Sequence, residues 1–223
     1  PTVVVGVAFL GVLGPNGVSG LDLAGTIWAV LIAHVFFNYA VVVRTVGGYW
    51  ATLDPRIEAA ARTLGASPWR AFREVTWPML RPAVAAAASI VFLFTFTSFG
   101  VVLILGGIRQ RTLEVEIYDQ TSRFLRLDVA AGLALVQLLV VVGALAWFSR
   151  TQQRRAIVLD RRPATETAAR PTGWRARSFV AANLVLMAAL LGTPLAVLVA
   201  KSFSTPDGWG LDNYQALDTA RRG

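Results

Sequence analysis

The residues of this chain that could do chemistry are concentrated between Asp54 and Pro82, in a polar segment rich in arginine, alanine and proline. The chain has no cysteine and a single histidine, His34, which excludes disulfides, cysteine-ligated metals and a histidine-rich metal site. No nucleophile–base pair, phosphate-cradling loop or nucleotide-binding motif occurs. The segment is therefore predicted to present a surface to a partner rather than to catalyse a reaction.

Local signals predict two short helices in this segment, joined by a tight turn. Asp54-Pro55 and Ser67-Pro68 each place a capping side chain before a proline, which suits the first helical position. Gly65 stands where the first helix must end in a left-handed residue. The second helix is predicted from Pro68 to about Trp77. We call residues 54–82 the elbow, because two helices joined by a glycine turn form a stiff unit.

The first elbow helix carries an apolar stripe of mostly small side chains. Ile57, Ala60, Ala61 and Leu64 follow the i, i+3, i+4, i+7 spacing of one helix face. The run of three alanines that begins at Ala59 would let the backbone of a partner approach closely. A stiff elbow with such a surface is suited to transmit force from that partner.

Membrane spans account for most of the remaining sequence. Hydrophobic residues make up 55% of the chain and charged residues 15%, with a mean hydropathy of +0.57, whereas soluble domains are about a quarter charged. An apolar helix of about 20 residues crosses a membrane, and four runs qualify: Thr26–Val43, Ala83–Leu105, Val129–Phe148 and Phe179–Ala200. Thr2–Leu13 is too short for a full span, and Pro194 is expected to kink the last one. The predicted fold class is an all-α, polytopic transmembrane helical bundle.

Arginine distribution predicts the orientation of these spans. In a soluble protein the net charge of +8 would suggest nucleic-acid binding, but here the arginines lie at the ends of spans. Loops 44–82 and 149–178 hold fourteen of the 21 lysines and arginines, so both are predicted to be cytoplasmic. Segments 15–25 and 106–128 and the tail from Lys201 then face outside. Loop 149–178 has no apolar face and is predicted to be a linker; binding of anionic lipid is the alternative role for its arginines.

The stretch Thr112–Tyr118 alternates apolar and polar residues like a strand, but no second strand is predicted nearby. We therefore expect an amphipathic helix on the outer surface. Its stripe would consist of Leu113, Ile117, Phe124 and Leu125. The acids Glu114 and Glu116 would either contact a binding protein or remain as solvated charges.

Several polar residues fall within the predicted spans. His34 and Asn38 are four residues apart on one helix face, and polar groups in a bilayer tend to face the bundle interior. For this pair, and for Gln137 and Asn183, we expect interhelical hydrogen bonds that fix packing, with a role in the solute path as the alternative. The hydroxyl residues Thr95, Thr97 and Ser98 would either line that path or bond back to their own helix.

The elbow resembles the cytoplasmic loop of the inner-membrane permeases of binding-protein-dependent ABC importers. That loop has the pattern Glu-Ala-Ala, three residues, Gly, nine residues, Ile, one residue, Leu-Pro. Counted from Gly65, this sequence places Val75, Trp77 and Pro78 at the Ile, Leu and Pro positions. Ala60 and Ala61 occupy the alanine positions, Ala59 occupies the glutamate position, and Glu58 comes one residue early. The resemblance assigns coupling to an ATPase to Glu58, Ala59, Ala60, Ala61, Gly65, Val75, Trp77 and Pro78.

Other stretches look like the ferric-iron and thiamine branch of these permeases. They are residues 33–38, 97–100, 105–107 and 112–118, together with the external segment after Lys201. The resemblance implies a MetI-like permease fold in a bacterial inner membrane, with a cytoplasmic ABC ATPase dimer and an extracytoplasmic solute-binding protein as partners. ATP would be bound by the ATPase, so no cofactor and no nucleic acid are expected for this chain. The implied solute is ferric iron or thiamine.

Members of that branch often contain two fused permease halves. The resemblance therefore predicts three parts: residues 1–148 from the first half, the linker 149–178, and residues 179–223 from the start of a second half. The alternative function is a secondary transporter or a structural membrane subunit without ATPase coupling. A secondary transporter usually shows ionisable residues or broken helices at the membrane midplane, and the predicted spans contain no Asp, Glu, Lys or Arg.

Overall fold

The computed structural model describes residues 2–153, 173–205 and 208–216. Within these residues the regular elements are helices, except for one short hairpin, β1 (Ser204–Thr205) and β2 (Gly208–Trp209), in which Ser204 pairs antiparallel with Trp209. The helices are α1 (Thr2–Leu13), α2 (Ile27–Trp50), α3 (Pro55–Thr63), α4 (Pro68–Phe96), α5 (Gly100–Leu105), α6 (Leu113–Ser122), α7 (Leu127–Gln153) and α8 (Trp174–Ser202).

Four of the helices in the described residues are long and apolar enough to cross a membrane. They are α2, α4, α7 (over Leu127–Arg150) and α8, and α1 has only 12 residues. This confirms the all-α fold class and the number of full spans. Pro194 lies buried inside α8, and the helix continues on both sides of it. Most of the predicted linker 149–178 lies outside the described residues.

The predicted boundary between the elbow and the following span is wrong. Instead of a short helix that ends near Trp77, α4 runs on from Pro68 to Phe96 through a π-helical turn at Phe72–Thr76. In a regular α-helix the ring of Pro78 would clash with the carbonyl of Glu74, four residues earlier. Glu74 lies in the wider π turn, which relieves that clash, so the helix continues through the proline.

The predicted span Ala83–Leu105 is also interrupted. Helix α4 ends at Phe96, and the Thr97 hydroxyl donates to the carbonyl of Leu93 at 2.8 Å. The separate helix α5 then packs on α1, where a Cβ on Gly100 would lie 2.7 Å from the Thr2 hydroxyl oxygen. Sequence hydropathy is continuous across this break, so it could not reveal it.

The chain divides into two compact units. One unit contains α1, the first part of α2 to Phe36, α5, α8 and the hairpin. Its core is built on α1, where Phe9 meets the edge of Phe36 at 5.4 Å between ring centroids. A Cβ on Gly11 would lie 2.8 Å from Val197 Cγ1, so α1 and α8 approach at this glycine.

The other unit contains the rest of α2, the elbow helices, α4, α6 and α7. Helix α6 packs lengthwise against α7, with Val115 and Asp119 buried. Our prediction of a helix at this position is confirmed, but its placement on the outer surface and its apolar stripe are not. Phe124 and Leu125 lie beyond the end of α6 and are exposed.

Candidate functional site

Each elbow helix starts at the capping residue that the sequence predicts. The Asp54 carboxylate accepts the Arg56 backbone N–H at 2.9 Å, and the Ser67 hydroxyl accepts that of Arg70 at 3.3 Å. Such caps satisfy amides that have no partner within the helix. In both helices the next residue is a proline, whose missing N–H costs nothing there.

The turn between the elbow helices is built on Gly65. The Ala66 N–H donates to the carbonyl of Ala61 and the Gly65 N–H to that of Arg62, both at 3.1 Å. These paired bonds form a Schellman motif, which requires a left-handed residue. Gly65 supplies it with a φ of +92°. The predicted role of this glycine in the turn is therefore confirmed.

One side-chain hydrogen bond ties the first elbow helix to the start of α4. The Thr76 hydroxyl donates to the Glu58 carboxylate at 2.7 Å, across 18 residues of sequence. Thr76 is buried and lies in the π turn, while Glu58 is half-buried. The glutamate that the sequence pattern places out of register thus has a structural partner inside the elbow itself.

Aromatic rings connect the elbow to the end of α2. Trp50, at the last turn of α2, lies 5.9 Å from Phe72 between ring centroids, and Trp69 stacks on the same Phe72 at 5.9 Å. Beside them is a cleft of about 350 Å³. It is lined by the end of α2, the start of α3 and the π turn, with Glu58, Val75 and Thr76 among its walls. A motion of the elbow would therefore displace the adjoining ends of α2 and α4 directly.

The outer face of the elbow is exposed. Ala59, Ala60 and Gly65 are exposed, Ala61 is half-buried, and Leu64 at the end of the apolar stripe is 89% exposed. The exposed part of the apolar stripe, Ala60 and Leu64, is available to a partner, whereas Ile57 lines the cleft. The remaining predicted coupling residues lie on α4, where Trp77 and Pro78 are exposed and Val75 is half-buried. The structure brings Val75 and Glu58 to one cleft.

A second polar site lies between α6 and α7. The Gln137 side-chain amide donates to the Glu114 carboxylate at 2.6 Å, which confirms the interhelical hydrogen bond expected of Gln137. Gln137 lies ten residues after Leu127, or about 15 Å along α7, at the middle of that candidate span. This bond puts Glu114 beside the middle of α7 and not at its outer end, although Glu114 itself lies outside the predicted spans.

Two of the other candidate path residues, His34 and Ser98, have local partners. His34 Nδ1 lies 2.7 Å from the carbonyl of Val30 in its own helix, and Asn38 is buried on the same helix. The carbonyl of Ser98 accepts the Thr112 hydroxyl at 2.9 Å. Thr95 lines a shallow apolar cleft beside α6. Asn183 lies on α8, and the roles proposed for these residues remain predictions.

Two hydrogen-bonded pairs, Glu58 with Thr76 and Glu114 with Gln137, could not be matched from the sequence. Thr76 was not singled out because 18 residues separate it from Glu58, and no helical spacing links them. Glu114 was placed outside because a segment of mixed charge resembles an external loop. The one signal in its favour was Gln137, a polar side chain in an otherwise apolar span that needs a partner.

Comparison with known proteins assigns a family to this architecture. Residues 1–157, more than two thirds of the chain, match the family described as "Binding-protein-dependent transport system inner membrane component". The molybdenum transport system permease protein ModB of Mycobacterium tuberculosis is 36% identical over 155 residues, which cover 65% of this chain and 57% of that protein. The sulfate transport system permease protein CysT of Escherichia coli is 31% identical over 156 residues, covering 67% and 56%.

A third relative is the thiamine transport system permease protein ThiP of Escherichia coli. It is 36% identical over 115 residues, which cover 51% of this chain and 22% of that protein. The matched region thus spans about half the length of ModB and CysT, and about a fifth of ThiP. All three are named as transport permeases, in agreement with our prediction of a transport subunit and not an enzyme.

Proposed function

We propose a function from one premise: the chain belongs to the family of binding-protein-dependent transport system inner membrane components, the permeases of ABC importers. It forms part of the solute path of an ATP-driven importer in a bacterial inner membrane. A separate cytoplasmic ABC ATPase dimer binds and hydrolyses ATP, and an extracytoplasmic binding protein delivers the solute. Loops 44–82 and 149–178 face the cytoplasm.

The observation that carries this proposal is the geometry of the elbow. A stiff capped turn presents an exposed small-residue stripe, and its inner side is tied to α4 through Glu58 and Thr76. A partner that seats on the stripe can therefore move a membrane span without deforming the elbow. Force transmission of this kind is what coupling to an ATPase requires.

The solute we propose is thiamine or ferric iron. The resemblance of residues 33–38, 97–100 and 112–118 to that branch supports it, and so does the similarity to ThiP, which is named for thiamine transport. The chain is also similar to ModB and CysT, which are named for molybdenum and sulfate transport. These two are therefore the competing solutes.

Site-specific cross-linking tests the ATPase coupling. A cysteine replaces Ala60 in this naturally cysteine-free chain, and a bifunctional thiol reagent is applied to membranes that contain the complete transporter. We expect a cross-link to the ATPase from Ala60→Cys. The matched control, Leu139→Cys on the exposed side of α7, is expected to give none. Equal cross-linking from both positions, or none from Ala60→Cys, would contradict the docking of the ATPase on the elbow.

The alternative function is a secondary transporter, because Glu114 lies at mid-span and a span is broken at 97–99, as such proteins often show. Uptake into vesicles distinguishes the two. An ABC importer needs ATP and persists when an ionophore collapses the ion gradients. Uptake by a secondary transporter stops when the ionophore is added and does not depend on ATP.

A further inference from the structure

The Glu114 carboxylate lies where an acid is costly. Its partner Gln137 is about 15 Å along α7 from Leu127, near the middle of a hydrocarbon core about 30 Å thick. An acid at this depth faces the bundle interior or a water-filled path, because exposure to lipid is unfavourable. Since α7 is mostly exposed in the described residues, other parts of the transporter or water must surround this position.

Nothing among the described residues neutralises Glu114. Its side chain makes one hydrogen bond there, with Gln137, and forms no ion pair. Arg123, just beyond the end of α6, pairs with Asp119 at 3.1 Å and not with Glu114. A carboxylate at this depth normally has a cation beside it. Glu114 has none among the described residues, so a purely structural role does not account for it.

Gln137 supplies a second, independent observation. Its side chain is 8% exposed, and its carbonyl oxygen Oε1 accepts no hydrogen bond from any described residue. A buried amide oxygen without a donor costs free energy. The pair therefore offers a carboxylate and an amide oxygen, which are both acceptors.

Glu114 and Gln137 line one open cleft of about 320 Å³. Its remaining walls are apolar and come from both helices: Ile117, Ala134, Leu138 and Val141. An apolar cleft with a few convergent polar groups is the usual form of a small-molecule site. Apolar walls also exclude water and so strengthen the field of the carboxylate.

We propose that Glu114 and Gln137 form a binding subsite for cationic groups in the solute path. It would attract a positively charged solute and repel an oxyanion at the same depth. The inference rests on the proposed function for its setting, and it identifies the solute as a cation. Thiamine and ferric iron fit that class, whereas molybdate and sulfate do not.

The charge preference of the cleft is measured directly with Ala134→Cys in the complete transporter. Ala134 is an exposed wall residue of the cleft, and the chain has no other cysteine. Membranes are treated with trimethylammonium-ethyl methanethiosulfonate, a cation, or sulfonatoethyl methanethiosulfonate, an anion. Corrected for intrinsic reactivity, we expect the cation to react at least about tenfold faster, because a nearby unpaired carboxylate attracts it.

Variants of Glu114 assign that preference to its charge. Glu114→Gln should abolish the preference, and Glu114→Asp, which retains the charge, should keep it. Glu116→Gln is the matched control, because Glu116 accepts from Gln120 and does not line the cleft; it should leave the preference intact. Unreactive Ala134→Cys, equal rates with both reagents, or an unchanged preference in Glu114→Gln would overturn the proposal.

Uptake separates this inference from the proposed function. Labelling of Ala134→Cys needs no ATP, so a transporter without ATP-driven uptake but with the cation preference would contradict only the proposed function. ATP-driven thiamine uptake with an unaltered KM in Glu114→Gln would contradict only the subsite. We expect Glu114→Gln to raise the KM for thiamine at least about tenfold while the protein inserts and binds its ATPase normally.

Discussion

At the scale of single residues, the elbow depends on Gly65 for its backbone and on one hydrogen bond for its attachment. The φ of +92° at Gly65 is a conformation that side chains with a Cβ rarely adopt. A Cβ there would meet no atom within 4 Å. Any effect of substitution at this position therefore comes from backbone strain and not from a clash.

Gly65→Val is expected to abolish uptake while membrane insertion is retained. The β-branched residue would strain the Schellman turn by about 1–2 kcal/mol or more, which tilts the apolar stripe away from the ATPase. Gly48→Val is the matched control, since Gly48 has equal space but an ordinary helical φ. Uptake by both variants in membranes of equal protein content is the measurement. Normal uptake by an inserted Gly65→Val would refute the coupling role.

Glu58 and the alanines should differ in their effect on transport. Because Glu58 bonds inward to Thr76 and Ala60 is exposed on the outer face, Ala60→Leu should uncouple ATP hydrolysis from uptake more severely than Glu58→Gln. Thr76→Val should resemble Glu58→Gln, since each weakens or removes the same bond of about 1 kcal/mol. The ratio of solute moved to ATP hydrolysed measures the coupling. If Glu58→Gln is the most damaging, the glutamate contacts the ATPase directly.

At the scale of helices, small residues and prolines decide where elements bend and meet. The π turn Phe72–Thr76 lets α4 pass through Pro78 without ending. A second π turn, Val43–Gly47, lies near the end of α2. One lies before the elbow and the other inside it, and π turns are frequent at functional positions. The two spans that the elbow connects, α2 and α4, therefore each contain a π turn.

The contact of α1 with α8 predicts a stability change. Gly11→Leu would place atoms where Val197 lies, since a Cβ alone already comes within 2.8 Å of it. Overpacking of this kind costs about 1–3 kcal/mol, so the thermal stability of the purified transporter in detergent should fall. Gly192→Leu on α8 is the control, because a Cβ there meets nothing within 4 Å. Equal midpoints for the two variants would show that α1 and α8 do not meet at Gly11.

At the scale of the whole molecule, the direction of the spans determines which surfaces the proposed ATPase and the proposed binding protein can reach. The arginine distribution predicts that the elbow lies in the cytoplasm. Helix α7 starts after the turn at residues 123–126 and must then begin at the outer side. Tyr118, predicted to be outside, lies on α6 beside α7, so Phe124 in that turn is the better external marker.

Labelling with an impermeant thiol reagent in intact cells tests this orientation. Cysteines at Phe124 and Trp209 should react, because both side chains are exposed on the predicted outer side. Cysteines at Arg56 and Arg73 should react only after the cells are permeabilised. The same is expected at Arg162, which lies outside the described residues. The reverse pattern would overturn the arginine rule for this chain.

Features that depend on neighbouring residues could be predicted from the amino-acid sequence. Hydropathy gave the number of long spans and the approximate position of each, and capping residues with proline located the starts of α3 and α4. Gly65 marked the turn because a helix end needs a left-handed residue within its last hydrogen-bonded positions. Gln137 was recognised as needing an interhelical partner. All of these signals act over a single turn or a single span.

Contacts between residues that are distant in sequence became visible only in the folded chain. Glu58 and Thr76 are 18 residues apart and Glu114 and Gln137 are 23 apart, and no periodicity links such pairs. The break at residues 97–99 arises where α5 packs on α1 through Gly100, although the apolar run is continuous. The π turn likewise relieves a proline that local rules treat as a helix end. These features depend on packing between elements, and packing partners are chosen only when the whole chain folds.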